Sequence, residues 1–404
     1  MTDTPMDDSI PATSPLQDPF ASAAGEKAFD FHAARSTYFT MLLKFLVLQI
    51  ITLSIYRFWA KTHVRRYLWS STEFLGDRFE YLGTGKELFI GFLIAIVILI
   101  PLFIVGQIPV VNIVYAIVVP FLIHFAIFRL WRYRLTRTSW RGLRFGMDQD
   151  AAKYAGMAIL WSIATLFSVG IAYPWMQAYL TRYKMNRVSF GTTNFQCTIT
   201  GSQLFLYYLG SLICILGMSS LIMIPYFSLI GAGGQWFSQI NEMSWELSII
   251  GIPVFIGLLF ISGWLQVKIA NKIIGEIRLG RCKFSSHLQF RKLLPAIFGF
   301  LGCFAVFYAF LGLIMNMFGP TIEDLDNFEN VVTNYLIPMY ILFFFAALFV
   351  PIINKVVLEV AIMREFFKNM KITDPEVFTE IARDGKDIPT HGEGFADAFD
   401  VGAF

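Results

Sequence analysis

Three ionisable side chains stand in or beside otherwise apolar stretches: Lys44 in 37–58, His124 in 109–130, and Glu359 at the end of 335–358. A charge in hydrocarbon is costly, so such residues face a bundle interior, a water-filled path or a pairing partner. They are the candidate polar intramembrane residues. Lys355 precedes Glu359 by four positions, the spacing of a helical ion pair, and local pairing is the plainer account of those two. A second set is basic and follows apolar stretches directly: Lys61, Arg65 and Arg66; Arg132 and Arg134, with Arg137 beside them; Arg182; Lys268 and Lys272. Basic clusters beside membrane helices attract anionic headgroups at roughly 1 kcal/mol per residue. These are the candidate anionic-lipid contacts, although setting orientation in the membrane is the plainer reason for a basic helix end.

Other chemistry has no pattern to carry it. His32, His63, His124, His287 and His391 form no metal-ligand spacing, and no phosphate-cradling loop, zinc-protease motif or nucleophile elbow occurs. Cys197, Cys214, Cys282 and Cys303 fit no zinc or redox motif and read as small apolar filler. No catalytic, cofactor-binding or metal-binding residues are expected, and no enzyme activity. The basic residues form no continuous face for nucleic acid. Glu73, Asp77, Glu80 and Glu87 follow the first apolar stretch and are expected to pair at the surface with the neighbouring Arg and Lys.

The elements that must position these residues are membrane helices. Of 404 residues, 56% are hydrophobic and only 15% charged, against about 25% charged in a soluble domain. Mean hydropathy is +0.59. Eight apolar stretches are long enough to consider as spans: 37–58, 88–106, 109–130, 152–174, 203–230, 246–268, 293–318 and 335–358. Residues 1–26, rich in Pro, Asp and Ser, read as a disordered leader without a cleavable signal. The connections 59–87, 129–153 and 268–292 are basic, whereas 319–333 is acidic. The positive-inside rule puts the basic connections and the C-terminus in the cytoplasm. Eight of nine tryptophans lie at or just beyond stretch ends, as an interfacial belt would; Trp161 is the exception.

Eight full crossings would put two basic connections on the wrong side. Either 37–58 and 152–174 enter and return, breaking near Thr52–Ser54 and Ser168–Gly170, or two units of opposite orientation repeat, as in many transporters. The first alternative is favoured by the weight of basic residues. An offset of 116 residues places Trp59 on Trp175, Arg66-Tyr67 on Arg182-Tyr183, Phe79 on Phe195 and Thr84-Gly85 on Thr200-Gly201. A weaker echo at offset 66 runs through Arg132-Tyr133, Thr138, Gly142 and Phe145. Each copy ends in a short alternating stretch such as 194–200, which predicts strands at the membrane surface that pair with one another, with 29–31 as a further strand.

The stretch 51–61 with Arg65-Arg66-Tyr67, the stretch 172–175 with 182–185, the run Glu276-Ile277-Arg278-Leu279-Gly280, and the C-terminal 393–401 together resemble the YjgN-like inner-membrane proteins. The resemblance covers residue 28 onward and implies a bacterial inner-membrane location but no activity. The two apolar stretches of 293–358 depart from it, since one span is the family's pattern there.

The expected fold is an all-α polytopic membrane protein with internal repeats and short juxtamembrane β-strands on the cytoplasmic side. Its expected organisation is a leader (1–26), a repeated transmembrane domain (27–368, units 29–145, 146–284 and 285–368) and a cytoplasmic tail (369–404). The expected partner is the lipid bilayer, including anionic lipids. The expected function is transport, conduction or lipid handling; the alternative is a non-catalytic scaffold or regulatory partner.

Overall fold

A computed structural model describes residues 29–108, 112–231, 236–318, 340 and 348–381, with side chains described outside 221–250 and a few further positions. The leader, the acidic connection 319–333, half of the stretch 335–358 and the end of the tail lie outside the described residues. One order of elements recurs: a short strand, two helices, then a strand antiparallel to the first. It begins with β1 (Phe29–Phe31), α1 (Arg35–Ile51), α2 (Arg57–Ser70) and β2 (Thr72–Phe74). There follow β3 (Asp77–Tyr81), α3 (Gly85–Val105), α4 (Asn112–Thr136) and β4 (Thr138–Trp140). Then come β5 (Leu143–Met147), α5 (Ala151–Phe167), α6 (Tyr173–Met185) and β6 (Val188–Phe190). Next are β7 (Thr193–Cys197), α7 (Gly201–Gly231), α8 (Trp236–Gly275) and β8 (Ile277–Leu279). The last set is β9 (Cys282–Ser286), α9 (Phe290–Phe318), a helical stretch 348–354 with a π-helical turn Lys355–Glu359, α10 (Val360–Asn369) and β10 (Met370–Thr373). A final turn of helix, α11 (Val377–Glu380), follows.

All ten strands form one antiparallel meander in chain order. Two-residue loops join β2 to β3, β4 to β5, β6 to β7 and β8 to β9. In the first two, Leu75-Gly76 and Arg141-Gly142 all have positive φ, the turn whose twist matches the strands it joins. Fold class therefore needs correction: the chain is mostly helical but not all-α, because the short strands build a single ten-stranded sheet. Three- to five-residue strands are too short to be stable alone, and the alternation of apolar and polar residues recruits them into one shared core.

That core is ordered by register. Phe29 stands opposite Phe74, Phe79 opposite Trp140, Phe145 opposite Phe190, Phe195 opposite Leu279 and Phe284 opposite Ile372. Each strand thus contributes one apolar side chain to the same level. The sheet curls, because Phe29 of the first strand stacks on Phe74 and also meets Phe367, just before the last strand. Phe378 of α11 fills the middle: its ring lies 4.9 Å from Phe74, 5.7 Å from Phe190, 6.0 Å from Trp140 and 6.4 Å from Phe284. Trp140 is buried here, within the sheet's core and not in an interfacial belt. Polar residues such as Arg78, Glu80, Arg144 and Arg278 take the alternate, exposed positions.

The helices rise from one edge of this ring. Gly85–Val105, Val114–Thr136, Gly201–Ser220, Pro253–Gly275 and Phe290–Phe307 are long and apolar enough to cross a membrane. α1–α2 and α5–α6 behave differently. The helix breaks at 52–56 and at 168–172, with left-handed residues Leu53, Ser54, Val169 and Gly170 at the bends. The chain then returns: Phe45 contacts His63, and Trp161 contacts Tyr179. These hairpins are shallow. Phe58 reaches Phe92, and Tyr173 reaches Tyr208; each partner lies only about 10 Å into its spanning helix at 1.5 Å rise per residue. The tips are apolar and outward-facing, with Leu53 88% and Val169 90% exposed.

Candidate functional site

Hydrogen bonds of backbone and side chains concentrate at the junction between ring and helices. After each odd-numbered strand, the next backbone N–H donates to the carbonyl just before the following even strand: His32 to Ser71, Leu82 to Arg137, Asp148 to Arg187, Thr198 to Glu276 and His287 to Asn369. This bond ties the entry and exit of every helical pair together. Charged side chains reinforce it, most extensively in the second, third and fourth pairs. Glu87 accepts from Arg137 Nη2 at 3.0 Å and from the Tyr133 hydroxyl at 2.7 Å. Arg187 donates to Asp150 at 2.9 Å while stacking 3.5 Å above the Tyr183 ring. Glu276 accepts from Thr198 at 2.7 Å, from Gln203 at 3.1 Å and from Lys272 at 3.3 Å. The hydrogen bond from Thr198 foremost, with those from Lys272 and Gln203, holds the Glu276 carboxyl below the ordinary glutamate value against opposing desolvation.

The expected local pairing of acids in 59–87 is corrected by this geometry. Glu87 pairs with Arg137, and Asp77 with Arg141, both from the next pair of helices onward. Glu73 faces His32 at 3.5 Å. Sequence proximity misleads here because β3 and β4 are neighbours in the sheet although 50 and 64 residues separate the charged partners.

The basic candidates divide. Arg65 is buried and donates to the Tyr81 hydroxyl at 3.1 Å. Arg66 donates to the Gly83 carbonyl at 2.8 Å, and buried Arg132 to the Met147 carbonyl at 3.0 Å. These three staple helix ends to a strand or to the loop just beyond one. Lys61 and Arg134 are half-buried on α2 and α4. Lys272 is engaged with Glu276, and exposed Lys268 sits 5.8 Å from the Trp264 ring. Arg182 lies 6.0 Å from the Tyr179 ring and lines a cleft of about 190 Å³ with Trp161, Trp175, Thr200 and Ser202.

The three intramembrane candidates do not converge. Lys44 is exposed on α1, and His124 on α4 makes an edge contact with the Tyr154 ring at 6.3 Å. Glu359 is buried in the π-helical turn and accepts from the Tyr38 hydroxyl at 3.1 Å. Among the described residues, no three His, Cys, Asp or Glu side chains group as metal ligands.

Sequence reasoning missed Phe378 and the role of Trp59 and Trp175. The two indoles lie against the first residues of α3 and α7. A Cβ on Gly85 would fall 2.8 Å from the Trp59 Cα, and one on Gly201 2.7 Å from the Trp175 Cα. The signal was present in the 116-residue offset, which carries both Trp59 and Gly85 onto Trp175 and Gly201. Phe378 had none, since one phenylalanine among 42 is not distinguished by type.

Two curated relatives are the inner membrane protein YjgN of Escherichia coli O157:H7, 21% identical over 315 residues, and that of Escherichia coli strain K12, 22% identical over the same length. Each alignment covers 66% of this chain and 79% of the relative. No solved structure matches. A family-wide sequence profile, described as bacterial protein of unknown function (DUF898), matches residues 26–301. On that match, covering more than half of its length, the chain belongs to the DUF898 family of bacterial proteins of unknown function.

Proposed function

We propose that this chain is a lipid-handling protein of the bacterial inner membrane, with the strand ring and the C-terminus on the cytoplasmic side. The location follows the inner-membrane relatives, and the orientation follows the basic residues concentrated where helices meet the ring. The observation that carries the reading is the pair of shallow hairpins. Their apolar, exposed tips stand beside helices long enough to span. Such wedges load one leaflet and leave a step in the membrane-facing profile, where lipid packing is perturbed locally.

We also infer internal repetition, with the strand–helix–helix–strand order as its unit. The 116-residue offset then carries unit one (29–74) and the opening of unit two (77–89) onto unit three (143–190) and the opening of unit four (193–205), and the 66-residue echo carries the end of unit one and the start of unit two (66–79) onto the end of unit two and the start of unit three (132–145). The longer segments 29–145 and 146–284 each correspond, to within a few residues at their ends, to two such units, and a fifth (282–373) follows.

The scaffold reading has its own support. Arg65, Arg66 and Arg132 are spent on internal hydrogen bonds, and Phe378 fills the ring. One assay separates the readings. Purified protein in vesicles is expected to accelerate the transbilayer movement of a headgroup-labelled phospholipid several-fold over protein-free vesicles, without leak of a trapped small ion. Ion leak without lipid movement would turn the reading to a channel or transporter, and neither effect would turn it to the scaffold. Orientation is checked by single cysteines at Asp77 and Asn194, both expected to resist an impermeant maleimide until cells are opened.

A further inference from the structure

We propose that the cleft between the α5–α6 hairpin and the start of α7 binds the phosphate headgroup of an anionic phospholipid, with Arg182 as its cation. The identification of the lipid as ligand rests on the lipid-handling reading; the site itself rests on geometry.

Three observations carry it. First, the Arg182 side chain makes no hydrogen bond or ion pair among the described residues, and its guanidinium lies 6.0 Å from the Tyr179 ring. The equivalent residue at the 116-residue offset, Arg66, is instead anchored on the Gly83 carbonyl. The two copies share a framework, and in one the guanidinium is committed to the protein while in the other it faces a cleft. Second, the cleft has about 190 Å³ of room, and its lining joins Arg182 with Thr200 and Ser202, whose hydroxyls share a hydrogen bond at 3.1 Å. Arginine presents a fork of donors that matches phosphate oxygens, and the hydroxyl proton not used between Thr200 and Ser202 supplies a further donor. Trp161 and Trp175 wall the cleft, the residue type that sits at headgroup level.

Third, the surface continues as a lipid would. Ser202, Leu206, Leu209 and Ile213 recur at helical spacing along one face of α7, and all four are exposed. A headgroup held at Arg182 and Ser202 places its acyl chains along that apolar strip, within a helix long enough to span. A free phosphate would use the same cleft and leave the strip untouched.

The test uses the full chain in phosphatidylcholine vesicles doped with brominated phosphatidylglycerol, whose bromines quench nearby tryptophans. Wild type is expected to prefer phosphatidylglycerol, and Arg182→Gln to lower that preference about fivefold, the equivalent of ~1 kcal/mol for one basic residue beside a membrane. Arg182→Lys is expected to retain part of it. Ser202→Glu, at an exposed position that tolerates an acid, is expected to abolish it by repulsion; it guards against loss of fold in the arginine variant. Arg278→Gln, on the outer face of β8, is expected to change nothing. Equal preference in wild type, Arg182→Gln and Ser202→Glu would overturn the site while leaving lipid movement, measured separately, intact. Displacement of the brominated lipid by low-millimolar inorganic phosphate would assign the cleft to a soluble phosphate and overturn the lipid.

Discussion

The guanidinium of Arg137 grips the carboxylate of Glu87 through two hydrogen bonds, Nε to Oε2 at 3.1 Å and Nη2 to Oε1 at 3.0 Å, across fifty residues of chain. The pair joins the first turn of α3 to the exit of α4, and both side chains are largely withdrawn from solvent, at 22% and 10% exposure. Removing one partner strands the other and leaves the Tyr133 hydroxyl facing an altered acceptor. Glu87→Gln and Arg137→Met are each expected to cost about 2–3 kcal/mol, read from unfolding midpoints in detergent. The double variant should cost less than the sum of the two, and strict additivity would show that the pair is not coupled.

Phe378 offers a test of the ring as a unit. Truncation to alanine opens a void against Phe74, Trp140, Phe190 and Phe284 at once. The expected loss is about 3–5 kcal/mol, with Phe378→Leu losing less. Acrylamide quenching of Trp140, with the other tryptophans replaced by phenylalanine, should rise in the alanine variant. An unchanged midpoint and unchanged quenching would mean that the strands hold their curvature without this side chain.

Gly85 and Gly201 test the close approach of an indole to a helix start. Alanine at either must displace a tryptophan and its backbone. Overpacking of this kind costs about 1–3 kcal/mol, so both variants should unfold earlier. Gly156→Ala, where no atom lies within 4 Å of the new methyl, is the control and is expected to be neutral or mildly stabilising. If all three behave alike, the tryptophan contacts do not constrain these positions.

Glu276 makes the base of α8 acid-sensitive. Its carboxyl titrates below the ordinary glutamate value in the folded chain. Its contribution to stability is therefore fully present above the unfolded glutamate range and is lost as pH falls below about 4.5 through the folded value. Amide exchange at Thr198, whose N–H bonds the Glu276 carbonyl, should accelerate over that window in wild type. Glu276→Gln should flatten the response, and an identical response in both would locate the acid sensitivity elsewhere.

The four cysteines should separate by environment. Burial pushes the Cys282 thiol up to about 12, with Asp374 adding to it, and burial raises Cys197 as well. Neither is expected to react with maleimide at pH 7–8 until the ring unfolds. Cys214 and Cys303 are exposed on helices that face the lipid and should label with a membrane-permeant reagent. Labelling of native Cys282 would mean that the ring opens readily.

Sequence alone determined that the chain is built of membrane helices, because apolar length and scarce charge are sums over many residues and survive any arrangement of the segments. It also placed the breaks near 52–54 and 168–170, where polar Thr, Ser and Gly interrupt apolar runs, and it marked the strands, whose alternation is local. The tertiary structure decided what those strands become. A three-residue strand such as Phe29-Asp30-Phe31 carries a pattern but no partner; only the meander brings ten of them to one level around Phe378. The same holds for charge. Arg66 and Arg182 occupy matching places at the 116-residue offset, and their type predicts one behaviour for both. Only the fold commits Arg66 to a carbonyl and turns Arg182 toward a cleft, because hydrogen bonding is decided by which backbone atom happens to lie within 3 Å, and that is a property of packing.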